Sequence, residues 1–116
     1  MSRILFDQGV PAPLRRFLTG HTVETARWRG WSTLTNGDLL RRAEEAGFEV
    51  LVTSDQNLRY QQNLTGRTIA LVIIGTNLWP VLAVDPSPVA RAVDAARPGS
   101  LTFVDYPKPP RGGRPS

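Results

Sequence analysis

Short apolar runs alternate along the chain with amphipathic segments, which predicts alternating strands and helices. The strand-like runs are residues 3–6, 21–25, 48–53, 68–74 and 101–104. Runs dominated by Val, Ile and Leu are typical of strands that are buried on both faces of a parallel sheet. The run 68–74 is the most hydrophobic of the five, so we expect it at the centre of the sheet.

The segments between these runs favour helices, at residues 11–18, 26–31, 36–46, 57–63, 79–83 and 88–97. Pro11 and Pro13 suit a helix start, Asn36 is the expected N-cap of the third segment, and Gly30 and Gly47 are expected to end helices. Alternating strands and helices imply βαβ crossovers. The pattern therefore predicts a three-layer α/β/α fold with a mostly parallel sheet of four or five strands.

Composition is consistent with one domain and a basic tail. The chain has 116 residues, of which 41% are hydrophobic, and residues 1–105 contain all the predicted elements. Residues 106–116 carry Lys108, Arg111 and Arg114 and no acid, which is three of the net four positive charges. Their Pro-, Gly- and Arg-rich composition predicts a disordered tail. The body is close to neutral, so net charge alone does not indicate a nucleic-acid partner.

Residue usage excludes several kinds of chemistry and location. The chain has no cysteine, which rules out disulfides, thiolate metal sites and a cysteine nucleophile. It has one histidine, His21, which we interpret as a polar surface group at a strand start. No apolar run is long enough for a bilayer span or a signal peptide, so we expect a cytoplasmic protein without a membrane partner.

Three aspartates share a position relative to the predicted sheet. Asp7 directly follows the first strand, Asp55 follows the third, and Asp38 opens the helix that leads into the third. In open α/β sheets, ligands bind at the carboxyl ends of the strands. Carboxylates gathered there would favour Mg²⁺ or Mn²⁺, which can activate water against a phosphodiester.

Neighbouring polar residues could support such a metal site. Gln8, Thr53, Ser54 and Asn57 are candidate hydrogen-bond partners, and Arg59 is a candidate phosphate contact. Each aspartate also has a structural interpretation: a loop acid at Asp7, a helix-dipole partner at Asp38 and an N-cap at Asp55. The basic pairs 15–16, 27/29 and 41–42 are typical of solvated helix faces, and we interpret Trp28, Trp31 and Trp79 as core or helix cover rather than as base-stacking residues.

Three stretches carry a resemblance to a known family: Ile4-Leu5-Phe6-Asp7-Gln8-Gly9-Val10-Pro11, Asn36-Gly37-Asp38-Leu39-Leu40 and Leu51-Val52-Thr53-Ser54-Asp55-Gln56-Asn57-Leu58. Their order and spacing resemble the compact PIN-like proteins of bacteria. These proteins form a domain group of largely unknown function, related to the toxin nucleases of toxin–antitoxin pairs. The similarity extends over roughly the first two thirds of the chain.

The resemblance implies a function for the three aspartates. Asp7, Asp38 and Asp55 correspond to the metal-binding, catalytic acids of PIN domains. It implies Mg²⁺- or Mn²⁺-dependent cleavage of single-stranded RNA, control by a cognate antitoxin protein, and a homodimer, because PIN domains often dimerise.

The chain also departs from the family pattern. Gln8 stands where compact relatives commonly have a glutamate, and Asn57-Leu58 where they often have Asp-Phe. The additional glutamate of full-length PIN nucleases has no counterpart closer than Glu24. These departures favour an alternative, a binding module of the same fold with a degraded acidic site.

A phospho-receiver domain is a third interpretation of the same pattern. It would use Asp7 as the acid after the first strand and Asp55 as the phosphoacceptor. Thr76 and Lys108 would follow the fourth and fifth strands. This analogy rests on fold-level features alone.

Overall fold

Five parallel strands form a single sheet. The computed structural model describes residues 2–56, 58 and 64–107, with Asn36 described only in its backbone. The strands are β1 (Arg3–Phe6), β2 (Thr22–Thr25), β3 (Val50–Thr53), β4 (Ala70–Ile74) and β5 (Leu101–Val104). Their order across the sheet is β2-β1-β3-β4-β5, and every neighbouring pair is parallel. The predicted parallel α/β sheet is confirmed, with β3 at its centre and β4 beside it.

Helical segments cover both faces of this sheet. They are a 3₁₀ helix (Ala12–Phe17), α1 (Asn36–Glu45), α2 (Trp79–Val84) and α3 (Ser87–Ala95). A proline in the first turn begins the 3₁₀ helix, α2 and α3, where a missing N–H leaves no intrahelical bond unmade. No helix in the described part of the chain is long and apolar enough to cross a membrane.

The strands divide their side chains between two apolar clusters, because successive residues of a strand point to opposite faces. On one face, strand residues pack with the 3₁₀ helix, α2 and α3, through Ile4, Phe6, Val52, Val72, Leu14, Leu82, Val89 and Val93. On the other, they pack with α1, through Leu5, Leu51, Leu71, Ile73, Leu39, Leu40 and Ala43. The result is the predicted three-layer arrangement.

Residues 26–31 form consecutive turns, so the predicted helix there is wrong. The Arg29 amide donates to the Thr25 carbonyl at 3.2 Å, Gly30 to Arg27 at 3.1 Å, and Trp31 to Ala26 at 2.8 Å. These three bonds span four, three and five residues, so no regular helix is built. A segment this short does not overcome the cost of helix nucleation, and other hydrogen bonds decide its path.

The start of α1 also differs from the prediction. Thr35, rather than Asn36, is the N-cap, and its hydroxyl accepts a hydrogen bond from the Asp38 amide at 3.3 Å. Both residue types cap helices well, so the sequence alone does not choose between them. The helix ends before Gly47, which has a φ of 87° and so takes the left-handed conformation expected of a terminating glycine.

His21 is not the surface group that the sequence suggested. Its side chain is only 9% exposed, and its Nε2 lies 2.6 Å from a carboxylate oxygen of Asp94 on α3. The Ser2 amide donates to its Nδ1 at 3.0 Å, so Nδ1 is unprotonated and Nε2–H is the donor to Asp94. The imidazole therefore ties the start of the chain to α3.

Two predictions fall mainly on residues that the structure does not describe. The helix expected at 57–63 lies outside the described residues except for Leu58, which is fully buried. In the predicted tail, residues 108–116 also lie outside them. Tyr106 is buried and its hydroxyl donates to the Asp85 carbonyl at 2.9 Å.

Candidate functional site at the carboxyl edge of the sheet

The strand order places a reversal between β1 and β3. From β1 the chain moves to β2 on one side and then returns to β3 on the other side of β1. At such a switch point the connections leave the two strands in opposite directions, which opens the crevice where α/β proteins bind ligands. Asp7 follows β1 directly, and Asp55 lies two residues beyond the end of β3. Two of the three predicted acids therefore belong to the loops at this point.

The Thr53 hydroxyl joins these two loops. Thr53 is the last residue of β3 and is completely buried. Its hydroxyl donates to Oδ2 of Asp7 at 2.8 Å and accepts from the Asp55 amide at 3.1 Å. A hydroxyl can donate once and accept at the same time, so one side chain holds both partners. A charge-assisted bond of this kind is stronger than a neutral one and fixes the orientation of the carboxylate.

The backbone around Asp7 is also held. Its amide donates to the Val52 carbonyl at 2.9 Å, which continues the pairing of β1 with β3 beyond the strand. Its Oδ1 accepts from the Gln8 amide at 2.7 Å. An ionised carboxylate has about four lone-pair positions, so two hydrogen bonds leave acceptor capacity for a ligand.

The two loops pack closely beside this carboxylate. A Cβ atom added at Gly9 would lie 2.9 Å from Oγ of Ser54, closer than such atoms normally approach. Gly9 therefore allows the loop after β1 to lie against the loop after β3. The Gln56 side chain extends the same network, since its Nε2 donates to the Gly75 carbonyl at the end of β4, at 3.2 Å.

Asp38 makes its contacts on its own helix. Its carboxylate lies 2.6 Å from Nη2 of Arg41, one turn further along α1, and its side chain is 46% exposed. Its backbone amide donates to the hydroxyl of Thr35, the N-cap residue of α1. Among the described residues, no group of three His, Cys, Asp or Glu side chains is placed to share a metal ion. The structure thus brings Asp7 and Asp55 to one hydroxyl and gives Asp38 partners elsewhere.

The remaining predicted residues fall into two groups. Gln8 contributes its amide and Ser54 its contact with Gly9, as described above. Asn57 and Arg59 lie outside the described residues.

Glu24 on β2 is bound to Arg29 at 2.7 Å and to Arg3 at 3.6 Å. The Arg29 hydrogen bond, with help from Arg3, lowers the pKa of Glu24, so this carboxylate is a charged structural partner.

The residues at the switch point fit a hydrated divalent cation. Mg²⁺ is usually held by one or two carboxylates and keeps several waters, so a site does not need three acids. Asp7 is a hard oxygen donor with acceptor capacity to spare, and the loop that carries Asp55 is held at the same hydroxyl through the Asp55 backbone amide. Both residues are only partly buried, which leaves access for water and a ligand.

The receiver interpretation depends on Thr76 and Lys108. The Thr76 hydroxyl, after β4, accepts from the Leu78 amide at 3.1 Å and so shapes the entry into α2. Lys108 lies outside the described residues.

Two concave surfaces were not anticipated from the sequence. The larger, about 560 Å³, lies between α2, α3 and the chain after β5, and its lining is mainly proline, valine and Tyr106. It lies at the β5 side of the sheet, and Asp85 and Asp105 also line it. The smaller, about 370 Å³, lies beside β2 and is lined by Arg15, Val23, Glu24, Thr25, Trp28 and Arg29.

Trp28 lines the smaller cleft, and the prediction that it is core or helix cover is wrong. It is 78% exposed, so it is not core or helix cover. Trp31 and Trp79 do agree with that interpretation, since both are partly buried against the apolar clusters. The signal in the sequence was the pattern Arg27-Trp28-Arg29, in which arginines flank an aromatic residue.

Comparisons of the chain with protein-family models, curated proteins and solved structures produced no match.

Proposed function

We propose that this protein is a divalent-metal-dependent ribonuclease of the PIN-like type, which hydrolyses phosphodiester bonds of single-stranded RNA. The observation that carries the proposal is the Asp7 carboxylate at the β1/β3 switch point, held by the same Thr53 hydroxyl that holds the Asp55 loop. The motif resemblance supplies the substrate class. A toxin role under a cognate antitoxin, in the cytoplasm, is part of the same proposal.

In this proposal Asp7 and Asp55 hold Mg²⁺ or Mn²⁺. The ion, when bound, would activate a water and screen the negative charge of the scissile phosphate. Thr53 keeps Oδ2 of Asp7 in place before any ligand arrives, so little ordering remains to be done on binding. The Gln8 amide does the same for Oδ1.

Asp38 has a secondary place in this proposal. Its carboxylate is engaged by Arg41, so it would have to release that arginine to contact an ion. We therefore expect its removal to cost less activity than the removal of Asp7.

A catalytically degraded binding module is the second candidate. The finding that favours it is that no three acidic groups in the described part of the chain are placed to share a metal. Gln8 and Asn57, in positions where relatives tend to have acids, point the same way. Such a protein would bind RNA or a protein partner without cleaving RNA.

A cleavage assay separates these candidates. Purified protein is incubated with a labelled single-stranded RNA and Mn²⁺, as wild type, Asp7→Asn, Asp38→Asn and Asp105→Asn. Asp105 is an exposed acid after β5, at the same edge of the sheet but three strands away from β1, so its variant is the matched control. Replacing a direct metal ligand should lower the cleavage rate by more than about 100-fold, since even supporting residues cost 10- to 100-fold.

Each outcome of the cleavage assay corresponds to one interpretation of the protein. Loss of cleavage in Asp7→Asn with retention in Asp105→Asn supports the nuclease. Equal cleavage by wild type and Asp7→Asn means that the activity comes from a contaminant. RNA binding without cleavage by the wild type means that the protein is a binding module.

A further inference from the structure

Trp28 is exposed although its size would favour burial. Its indole is 78% exposed, whereas the Trp31 ring packs edge-on against Phe48 with centroids 6.4 Å apart, and Trp79 lies 6.1 Å from Phe17. A large aromatic side chain left in water lacks the stabilisation that burial gives to Trp31 and Trp79. An indole presented in this way offers a flat apolar face to a ligand.

The turn that carries Trp28 is well held by hydrogen bonds. The Trp28 amide donates to Oγ1 of Thr25 at 3.1 Å, and the Arg29 amide donates to the Thr25 carbonyl at 3.2 Å. The Trp31 amide then closes on Ala26 at 2.8 Å. These bonds fix the backbone on both sides of Trp28, so its exposure follows from the turn geometry.

The cleft next to Trp28 is positively charged. Arg29 and Glu24 neutralise each other at 2.7 Å, with Arg29 also lying 5.3 Å from the Trp31 ring. Arg15, from the 3₁₀ helix, lines the cleft and forms no ion pair with any described residue. Arg16 and Arg27, adjacent in sequence to cleft residues, are exposed and equally without an ion pair in the described chain. A ligand entering here meets the Arg15 guanidinium, which no carboxylate in the described part of the chain neutralises.

The cleft also lies next to the Asp7 site. β2 pairs with β1 so that Thr25 is level with Phe6, and the Ala26 amide donates to the Phe6 carbonyl at 2.8 Å. Asp7 is the next residue after Phe6. On the other side, the loop from Asp7 leads directly into the 3₁₀ helix that carries Arg15, with the Val10 amide donating to the Asp7 carbonyl at 3.0 Å.

We infer that this cleft, defined by Trp28 and Arg15, binds single-stranded nucleic acid beside the Asp7 site. A base stacks on the Trp28 indole and a backbone phosphate pairs with Arg15. Base–aromatic stacking combined with a basic groove is the general means by which proteins hold single strands without reading their sequence. The inference rests on the proposed function for the fate of the RNA, while binding itself requires no cleavage.

The test is fluorescence anisotropy with a labelled single-stranded RNA of about 10 nucleotides, within the usual range of site sizes. The titrations are done with EDTA so that metal-dependent cleavage does not interfere. We expect Trp28→Ala to weaken binding by about 10-fold or more, and Trp28→Phe, which keeps an aromatic face, to weaken it far less. Circular dichroism verifies that both variants are folded.

Arg15→Gln tests the phosphate contact. Loss of one phosphate contact should lower the slope of log affinity against log salt by about 0.7, the value for single strands. Arg97→Gln is the control for loss of one positive charge, because Arg97 precedes β5 and so lies at the amino edge of the sheet. We expect its affinity and salt slope to equal those of the wild type.

Each result separates this inference from the nuclease proposal. Binding that depends on Trp28 without cleavage in Mn²⁺ upholds the cleft and rejects the nuclease. Cleavage by the wild type with equal RNA affinity in Trp28→Ala rejects the cleft and upholds the nuclease. An absence of RNA binding by the wild type, or equal affinity of Trp28→Ala and wild type, overturns the inference.

Discussion

Thr53 is the residue on which the candidate site depends. The sequence predicts acids at the ends of β1 and β3, because apolar runs stop abruptly at Asp7 and just before Asp55. It also suggests Thr53 as a hydrogen-bond partner, but not which acid it would contact. That contact joins residues 46 positions apart and depends on the two strands being neighbours. Only the tertiary structure supplies this information.

Removing the Thr53 hydroxyl should disable the site without changing its shape. Thr53→Val is nearly isosteric and leaves the Asp7 carboxylate without one donor, so we expect Mn²⁺ affinity to fall by about 10- to 100-fold. The free energy of unfolding should fall by about 1.5–3 kcal/mol, the range for a hydrogen bond to a charged group. Mn²⁺ titration and urea denaturation measure the two effects.

Thr53→Ser is the matched control, because it keeps the hydroxyl and removes only a methyl group. We expect it to retain most of the Mn²⁺ affinity. Wild-type affinity in Thr53→Val would contradict the role assigned to this hydroxyl.

At the scale of single elements, long periodic segments were predictable and short ones were not. α1, α3 and the strands have enough apolar residues in register for their type to be clear. Residues 26–31 have too few, and hydrogen bonds donated to Thr25 and Ala26 by later backbone amides set their turns instead. The prediction that Trp28 is core or helix cover was wrong for the same reason, because the turns of residues 26–31 set its exposure and the hydrophobic pattern does not.

Glu44 ties α1 to the entry of β4. Its carboxylate accepts from the Thr68 amide at 2.6 Å and the Thr68 hydroxyl at 3.0 Å, and it pairs with Arg67 at 2.8 Å. The Thr68 amide bond, followed by the other two contacts, lowers the pKa of Glu44 below its ordinary 4.5. A lowered pKa means that this carboxylate stabilises the fold above pH 4.5 and that its contribution is lost as the pH falls through the folded-state pKa.

Glu44→Gln should therefore be destabilising in a pH-dependent way. At neutral pH we expect the free energy of unfolding to fall by about 1–3 kcal/mol, because charged hydrogen bonds are lost. At about pH 3 the difference from the wild type should be smaller than at neutral pH, because the stabilisation from a lowered pKa declines as the pH falls below 4.5. Urea denaturation at both pH values gives the comparison.

Glu45→Gln, the next residue on α1 and an exposed one, is the control and should track the wild type at both pH values. If Glu44→Gln lowers the free energy of unfolding by the same amount at both pH values, ionisation of this carboxylate does not stabilise the fold.

For the whole molecule, the fold class was predictable and the strand order was not. Alternating strands and helices imply a parallel sheet. That β1 and β3 are neighbours, with β2 on the outside, follows only from the order β2-β1-β3-β4-β5. This order brings the Asp7 carboxylate to the Thr53 hydroxyl, and it places the Trp28 cleft on the other side of β1. Asp38, assigned to the same edge from sequence, has its observed contacts on α1.

The central claim is that the β1/β3 switch point binds a divalent cation through Asp7 and Asp55. The most direct measurement is a crystal structure of the protein with Mn²⁺, using the anomalous signal of the ion, for the wild type and for Asp7→Asn. We predict one strong peak in coordination contact with the carboxylates of Asp7 and Asp55, which disappears in Asp7→Asn; the same map shows whether Asp38 leaves Arg41 to join them. A wild-type crystal without a peak between Asp7 and Asp55, or with an unchanged peak in Asp7→Asn, would contradict the claim.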